Sequence, residues 1–136
     1  MKIVINDRRK ISAIQNDFNE MFPYLRIEFF SKPHEVGGQS PKKLMKHPSM
    51  TLGECRTIHK SGVISITPRM TVYNLEQNFR DVYGLAVQVF RKSGKAWLET
   101  TVTDGWTLEE QNSQGEDLSK THTVTREIPD ENEFER

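Results

Sequence analysis

Two stretches of this chain follow the same plan, and the plan restricts what the chain can become. Each runs from a short apolar segment through a 3.6-residue apolar period to a second extended segment. In the first, Ile3, Val4 and Ile5 read as a strand, and Ile11, Ile14, Phe18 and Met21/Phe22 recur at helical spacing over residues 10–22. Ser12 and Gln15 suit a capping box there, and Asp7 suits an earlier start. Pro23 ends the helix because proline cannot continue its hydrogen-bond ladder. Leu25, Ile27 and Phe29 then alternate with Arg26, Glu28 and Phe30, the period-two pattern of a half-buried strand.

In the second stretch, Gly62–Thr67 reads as a strand with Ile64 and Ile66 on one face. Val72, Leu75, Phe79 and Val82 predict a helix over 71–83, with Thr71 as its cap and Gly84 at its left-handed end. Leu85–Arg91 and Ala96–Val102 are two strands around Lys92–Lys95, and Ser93-Gly94 suits a two-residue hairpin turn. Thr107-Leu108-Glu109-Glu110 is a capping box that opens a short third helix, which Gly115 ends. The two stretches share an architectural theme, but their residues do not match closely enough to claim a sequence repeat.

These elements predict an α+β domain over residues 1–115. The expected architecture is a ferredoxin-like split βαβ sandwich: an antiparallel sheet with both helices on one face, extended by the C-terminal hairpin strand. A length of 136 residues suits one domain. Residues 31–61 carry Pro33, Gly37, Gly38, Pro41 and Pro48 and no sustained period, so they read as a mobile loop, with a short strand over Thr51–Ile58. Residues 116–136 are poor in apolar side chains and read as a disordered acidic tail.

The zero formal net charge hides an asymmetry. Residues 1–103 hold 16 Lys/Arg against 9 Asp/Glu, whereas residues 104–136 hold 3 against 10. A uniformly basic nucleic-acid coat and a uniformly acidic chain are both excluded. Lys32, Lys42, Lys43, Lys46, Arg56 and Lys60 concentrate the basic charge in the loop. A solvated loop with a solubilising tail explains this; a tail that shields a basic surface until an anionic partner displaces it is the sharper reading. The single cysteine excludes an internal disulfide. No apolar run approaches the ~18 residues of a membrane span, and MKIVINDRRK lacks the apolar core of a signal peptide, so a cytoplasmic location without membrane association is expected.

A Ser93-Gly94 turn sets Val89 opposite Leu98 and Val87 opposite Thr100 on the core face. It sets Phe90 opposite Trp97 and Gln88 opposite Glu99 on the other. Phe30 joins that outer face from a neighbouring strand, with Arg26, Arg91, Lys92 and Lys95 nearby. Aromatics among cations on an open sheet suit single-stranded nucleic acid, although the aromatic, glycine-rich signature of RNA-recognition sheets is absent. Two competing expectations are that Trp106, Leu108 and Leu118 fold the third helix over this face, or that two copies pack it together.

Other chemistry finds little support. Cys55 and His59 stand at a tolerable spacing for zinc, but His34 and His47 sit singly in the loop and no Cys-x-x-Cys pair anchors a site, so no metal or cofactor is expected. Arg91-Lys92-Ser93-Gly94-Lys95 lacks the spacing of a phosphate loop and leads into no helix. Cys55 with His59, and Asp104 with His122, lack an oxyanion element or an orienting third group, so an enzyme is disfavoured.

VQVFRKSGKAWLETT followed by TDGWTLEEQN resembles a family of small bacterial proteins without an assigned activity. The likeness spans most of residues 1–115 and is strongest at the hairpin; it implies a cytoplasmic bacterial protein and transfers no functional residues. The expectation is therefore a non-enzymatic module that binds a protein partner or itself through Phe90, Trp97, Arg91, Lys92, Lys95 and Phe30. Single-stranded nucleic acid is the alternative ligand of the same residues.

Overall fold

The computed structural model describes residues 1–31 and 45–127, with side chains as far as Lys120. In chain order these form β1 (Lys2–Ile5), α1 (Ile11–Met21), β2 (Leu25–Phe30), a 3₁₀ turn (Leu52–Cys55), β3 (Gly62–Ser65), α2 (Val72–Tyr83), β4 (Ala86–Ser93), β5 (Ala96–Glu99) and α3 (Leu108–Glu127). The fold is α+β. Its strands pair in two antiparallel sheets, β1–β3 and β2–β4–β5. A single sheet is the sequence expectation, and its finer ferredoxin-like arrangement is not established by these ladders.

The core forms where the apolar period of each helix meets the inward face of a strand. Ile11, Ile14 and Phe18 of α1 and Val72, Leu75 and Phe79 of α2 are fully buried. They join Ile3, Ile5 and Ile64 of the first sheet and Leu25, Ile27, Phe29, Val87 and Val89 of the second. Phe79 meets Phe29 edge-on, with ring centroids 6.0 Å apart, the geometry the ring quadrupoles favour.

Helix α2 obeys local rules. The Thr71 hydroxyl accepts from the Asn74 amide, and Gly84 ends the helix at φ 64°. A Cβ on Gly84 would stand 2.5 Å from Ile58 Cγ1. Gly84→Ala is expected to cost about 1–2 kcal/mol for the left-handed backbone alone, measurable by urea denaturation; an unchanged midpoint would contradict this account of the position.

Helix α1 starts differently from the expectation. Lys10 is its N-cap and makes no side-chain cap bond. The Ile11 and Ser12 amides donate instead to the carbonyls of Met50 and Pro48, at 2.9 and 3.0 Å. Gln15 reaches away from the helix end, donating to the Ile27 carbonyl at 2.8 Å and to Glu28. Asp7 pairs with Arg56 rather than capping.

Other segments also differ from the sequence expectation. Thr51–Ile58 is no strand: Thr51 caps the 3₁₀ turn through a reciprocal capping box with Glu54, because short side chain-to-backbone bonds compete with ladder pairing. Of the loop expected over 31–61, residues 32–44 lie outside the described residues; from Met45 onward the chain is pinned by a bridge to Phe30 and by the Thr51 box. Gly115 does not end α3. It is buried inside the helix, where a Cβ would come 2.9 Å from Tyr24 Cβ, so it serves close packing of α3 on the start of β2. The helix continues to Glu127, where a disordered tail is expected from residue 116, and a Lys120–Glu116 pair at 2.7 Å links successive turns of it. Residues 128–136 lie outside the described residues.

Candidate interaction surface

Strand periodicity divides the larger sheet into two faces. Leu25, Ile27, Phe29, Val87 and Val89 point into the core; Arg26, Glu28, Phe30, Gln88, Phe90 and Lys92 point the other way. The hairpin turn falls at Gly94-Lys95, with Gly94 at φ 62°, and not at Ser93-Gly94. Glycine takes the positive φ that the first central turn position requires. The register therefore shifts by two: Phe90 pairs with Glu99, and Lys92 with Trp97. A shift of two preserves side-chain parity, so Phe90 and Trp97 still share the outer face, as diagonal rather than directly opposed neighbours.

Arg26, Glu28, Met45, Phe90 and Trp97 line a cleft of about 260 Å³ on this face. Cations crowd its tryptophan: the Arg26 guanidinium carbon lies 5.5 Å from the Trp97 ring centroid, and Lys92 Nζ lies 6.0 Å from it. Such contacts are worth about 0.5–1 kcal/mol at exposed sites. Glu28, buried in the floor, receives Arg26 at 2.6 Å and Gln15 at 3.1 Å. Both ends of the carboxylate are thus engaged, and Arg26 is held beside the ring. The edge of β2 next to this cleft is closed: its Leu25, Ile27 and Phe29 carbonyls accept from Asn19, Gln15 and the Lys46 amide. Blunting an edge in this way discourages strand addition there.

The structure divides the residues the sequence singled out. Phe90, Trp97 and Lys92 come together, and Lys95 is exposed at the turn tip. Phe30 is on the outer face but only 3% exposed, with Met45 bridged to it, so it cannot be a contact residue without rearrangement. Arg91 points to the opposite face. Its guanidinium donates to Gln111 at 3.0 Å and lies 5.6 Å from the Trp106 ring, and burial pushes its pKa down. Arg26 and Met45 are the additions: Arg26 is legible as a neighbour, whereas Met45 carries no signal because its bridge to Phe30 joins positions fifteen residues apart.

Helix α3 does not cover the cleft. Leu108 enters the core and fully buried Gln111 holds Arg91 and the Thr103 carbonyl, which ties α3 to the core-facing side of β4. Trp106 stays 39% exposed, and its carbonyl accepts from the Val72 amide at the start of α2.

A second polar cluster gathers Asp7, Arg56, His59 and the end of α2. Arg56, expected on a basic surface, is buried: Nε and Nη2 donate to Asp7 at 3.1 and 2.8 Å, and Nη1 donates to the Tyr83 carbonyl at 3.0 Å. His59 adds a 2.8 Å contact to the other Asp7 oxygen. The Arg56 hydrogen bonds first, and the nearby positive charge with them, hold the Asp7 carboxyl below its ordinary range. A depressed carboxyl stabilises the fold above its unfolded pKa of about 3.9 and loses that contribution as pH falls through the lower folded value. Arg56→Met is expected to cost about 1–3 kcal/mol at neutral pH, because the Tyr83 carbonyl loses its donor. It should also flatten the acid limb of a stability–pH curve measured by urea denaturation; an acid limb as steep as in the unaltered protein would contradict the pairing.

The other clusters do not assemble. His47 contacts Ser49 at 2.8 Å, Cys55 Sγ contacts the Thr51 carbonyl at 3.3 Å, and His59 turns to Asp7; His34 lies outside the described residues. Burial pushes the Cys55 thiol up, which disfavours the thiolate a nucleophile needs. Among the described residues no group of His, Cys, Asp or Glu could hold a metal ion. Nor is any described helix long and apolar enough to cross a membrane. The side chain of His122 lies outside the described residues, so its pairing with Asp104 is not seen. No protein family, curated protein or solved structure matches this chain.

Proposed function

We propose that this protein is a non-enzymatic interaction module that engages a protein partner through the outer face of the hairpin. The carrying observation is the cleft in which Trp97 stands half-exposed between Phe90, Met45 and the cations Arg26 and Lys92. Tryptophan and arginine at the centre of a shaped depression are the residues that dominate protein–protein binding energies. The cleft volume suits one inserted apolar side chain. Its rim suits a carboxylate beside that side chain, since Arg26 and Lys92 offer charge-assisted donors.

Single-stranded nucleic acid fits the same residues less well. A base stacking on Trp97 competes with Arg26 for the ring. A second copy of the chain is the other protein partner. The ferredoxin-like arrangement, and a cytoplasmic bacterial setting drawn from the resemblance of the hairpin sequence, are part of this proposal but do not carry it.

The test uses Trp106→Phe protein, in which Trp97 is the sole indole. Peptides carrying Leu or Phe flanked by Asp or Glu, and a poly-dT strand, are titrated while Trp97 emission is followed. Saturable shifts with the acidic–apolar peptides, modestly weakened by salt, are expected. Binding of poly-dT alone, with a steep salt dependence, would transfer the surface to nucleic acid.

A further inference from the structure

We propose that the chain is two copies of one folding unit, residues 1–56 and 62–111, joined as an intramolecular two-fold dimer. The sequence shows only a shared theme; the hydrogen bonds show the correspondence. Ile11 and Val72 stand 61 positions apart, as do Ile14 and Leu75, and Phe18 and Phe79. The backbone contacts repeat too, with the partners around the helix start at that offset and those from the docked segment 56 positions apart. The Ile11 amide donates to Met50 and the Val72 amide to Trp106; Ser12 donates to Pro48 and Tyr73 to Asp104. In return Leu52 donates to Arg9 and Leu108 to Met70, while Gly53 donates to Asp7 and Glu109 to Pro68. The docked segment is Thr51-Leu52-Gly53-Glu54 in one unit and Thr107-Leu108-Glu109-Glu110 in the other, each with a reciprocal capping box. Lys10 bridges Thr51 as Thr71 bridges Thr107. The Lys46 amide meets the Phe29 carbonyl as the Thr100 amide meets that of Val89, and Met45 bridges Phe30 as Glu99, the last residue of β5, pairs with Phe90.

The symmetry operator is visible in the strand registers. In β1–β3, Ile3 pairs with Ile64, its own counterpart. In β2–β4, Glu28 pairs with Gln88, again its own counterpart after the one-residue deletion that replaces Pro23-Tyr24 by Gly84. A residue facing its own equivalent in an antiparallel ladder marks a two-fold axis, and an isologous interface has this property. The β1–β3 and β2–β4 ladders are therefore the interface between the units. The surface each unit presents is fitted to a second copy of that unit.

The duplication also explains an otherwise orphaned atom. Glu28 is satisfied by Arg26 and Gln15, whose counterparts are Ala86 and Glu76. Ala86 offers no donor, and buried Gln88 Oε1 is left without a hydrogen-bond partner. The counterparts of Glu28 and Phe90 in the Arg26–Trp97 cleft are Gln88 and Phe30, and both are buried.

A cleavage sequence placed between exposed Lys60 and Ser61 of the full chain tests this. After cleavage the two pieces are expected to sediment as one 1:1 particle with unchanged circular dichroism, and their thermal midpoint should now rise with protein concentration. The C-terminal piece, separated and refolded, is expected to sediment at twice its own mass. Dissociation of the cleaved pair would overturn the interface, and a C-terminal piece that stays monomeric or unfolded at the concentration where the pair holds would overturn the equivalence of the units.

Discussion

Phe79→Ala is expected to destabilise the protein by about 3–5 kcal/mol and to lower its melting temperature by about 10–20 °C. The ring is fully buried between α2 and β2, and it meets Phe29 edge-on. Its removal forfeits the transfer energy of a whole aromatic side chain and leaves a cavity that two packed sheets and a helix cannot close. Urea denaturation with an unchanged slope would read the loss directly. Phe18→Ala, at the matching position of α1, should cost a similar amount, since Phe18 is equally buried and packs on Phe22 at 5.4 Å. A loss below about 1 kcal/mol at either site would mean that the core is not packed as described.

Trp97→Ala is expected to weaken partner binding by about thirtyfold or more, the effect of losing a central aromatic anchor of about 2 kcal/mol. The fold should be nearly unaffected, because the ring is half-exposed and sits at the hairpin's outer face. Isothermal titration of the variant and the parent with the same acidic–apolar peptide separates the two effects. Lys95→Ala, at the exposed turn tip, should change the affinity little. Equal losses at Trp97 and Lys95 would point to diffuse electrostatic attraction and away from a shaped cleft.

What the sequence reveals here depends on how local the governing contact is. Helix α2 is legible to the residue because Thr71 and Gly84 act on their own neighbours. The start of α1 is not, because its amides are satisfied by Pro48 and Met50 from far along the chain. Arg56 reads as surface charge until Asp7 and the Tyr83 carbonyl are brought to it. Gly115 has the composition of a helix stop but a contact, Tyr24, that makes it an interior position. At the hairpin, Ser93-Gly94 and Gly94-Lys95 are both acceptable turns, and they differ by a register shift of two. The face of Phe90 and Trp97 is therefore predictable, whereas their cross-strand partners are not. Sequence distance puts Arg91 near the site, and strand parity sends it to the other side.

The proposed function needs the Trp97 cleft to be accessible in the single chain. Acrylamide quenching of Trp97 fluorescence in Trp106→Phe protein, over a concentration series, tests it most directly. The predicted result is intermediate quenching, the same at every concentration until a partner is added. Full shielding of Trp97 at the lowest concentration would contradict the open cleft and with it the proposed function.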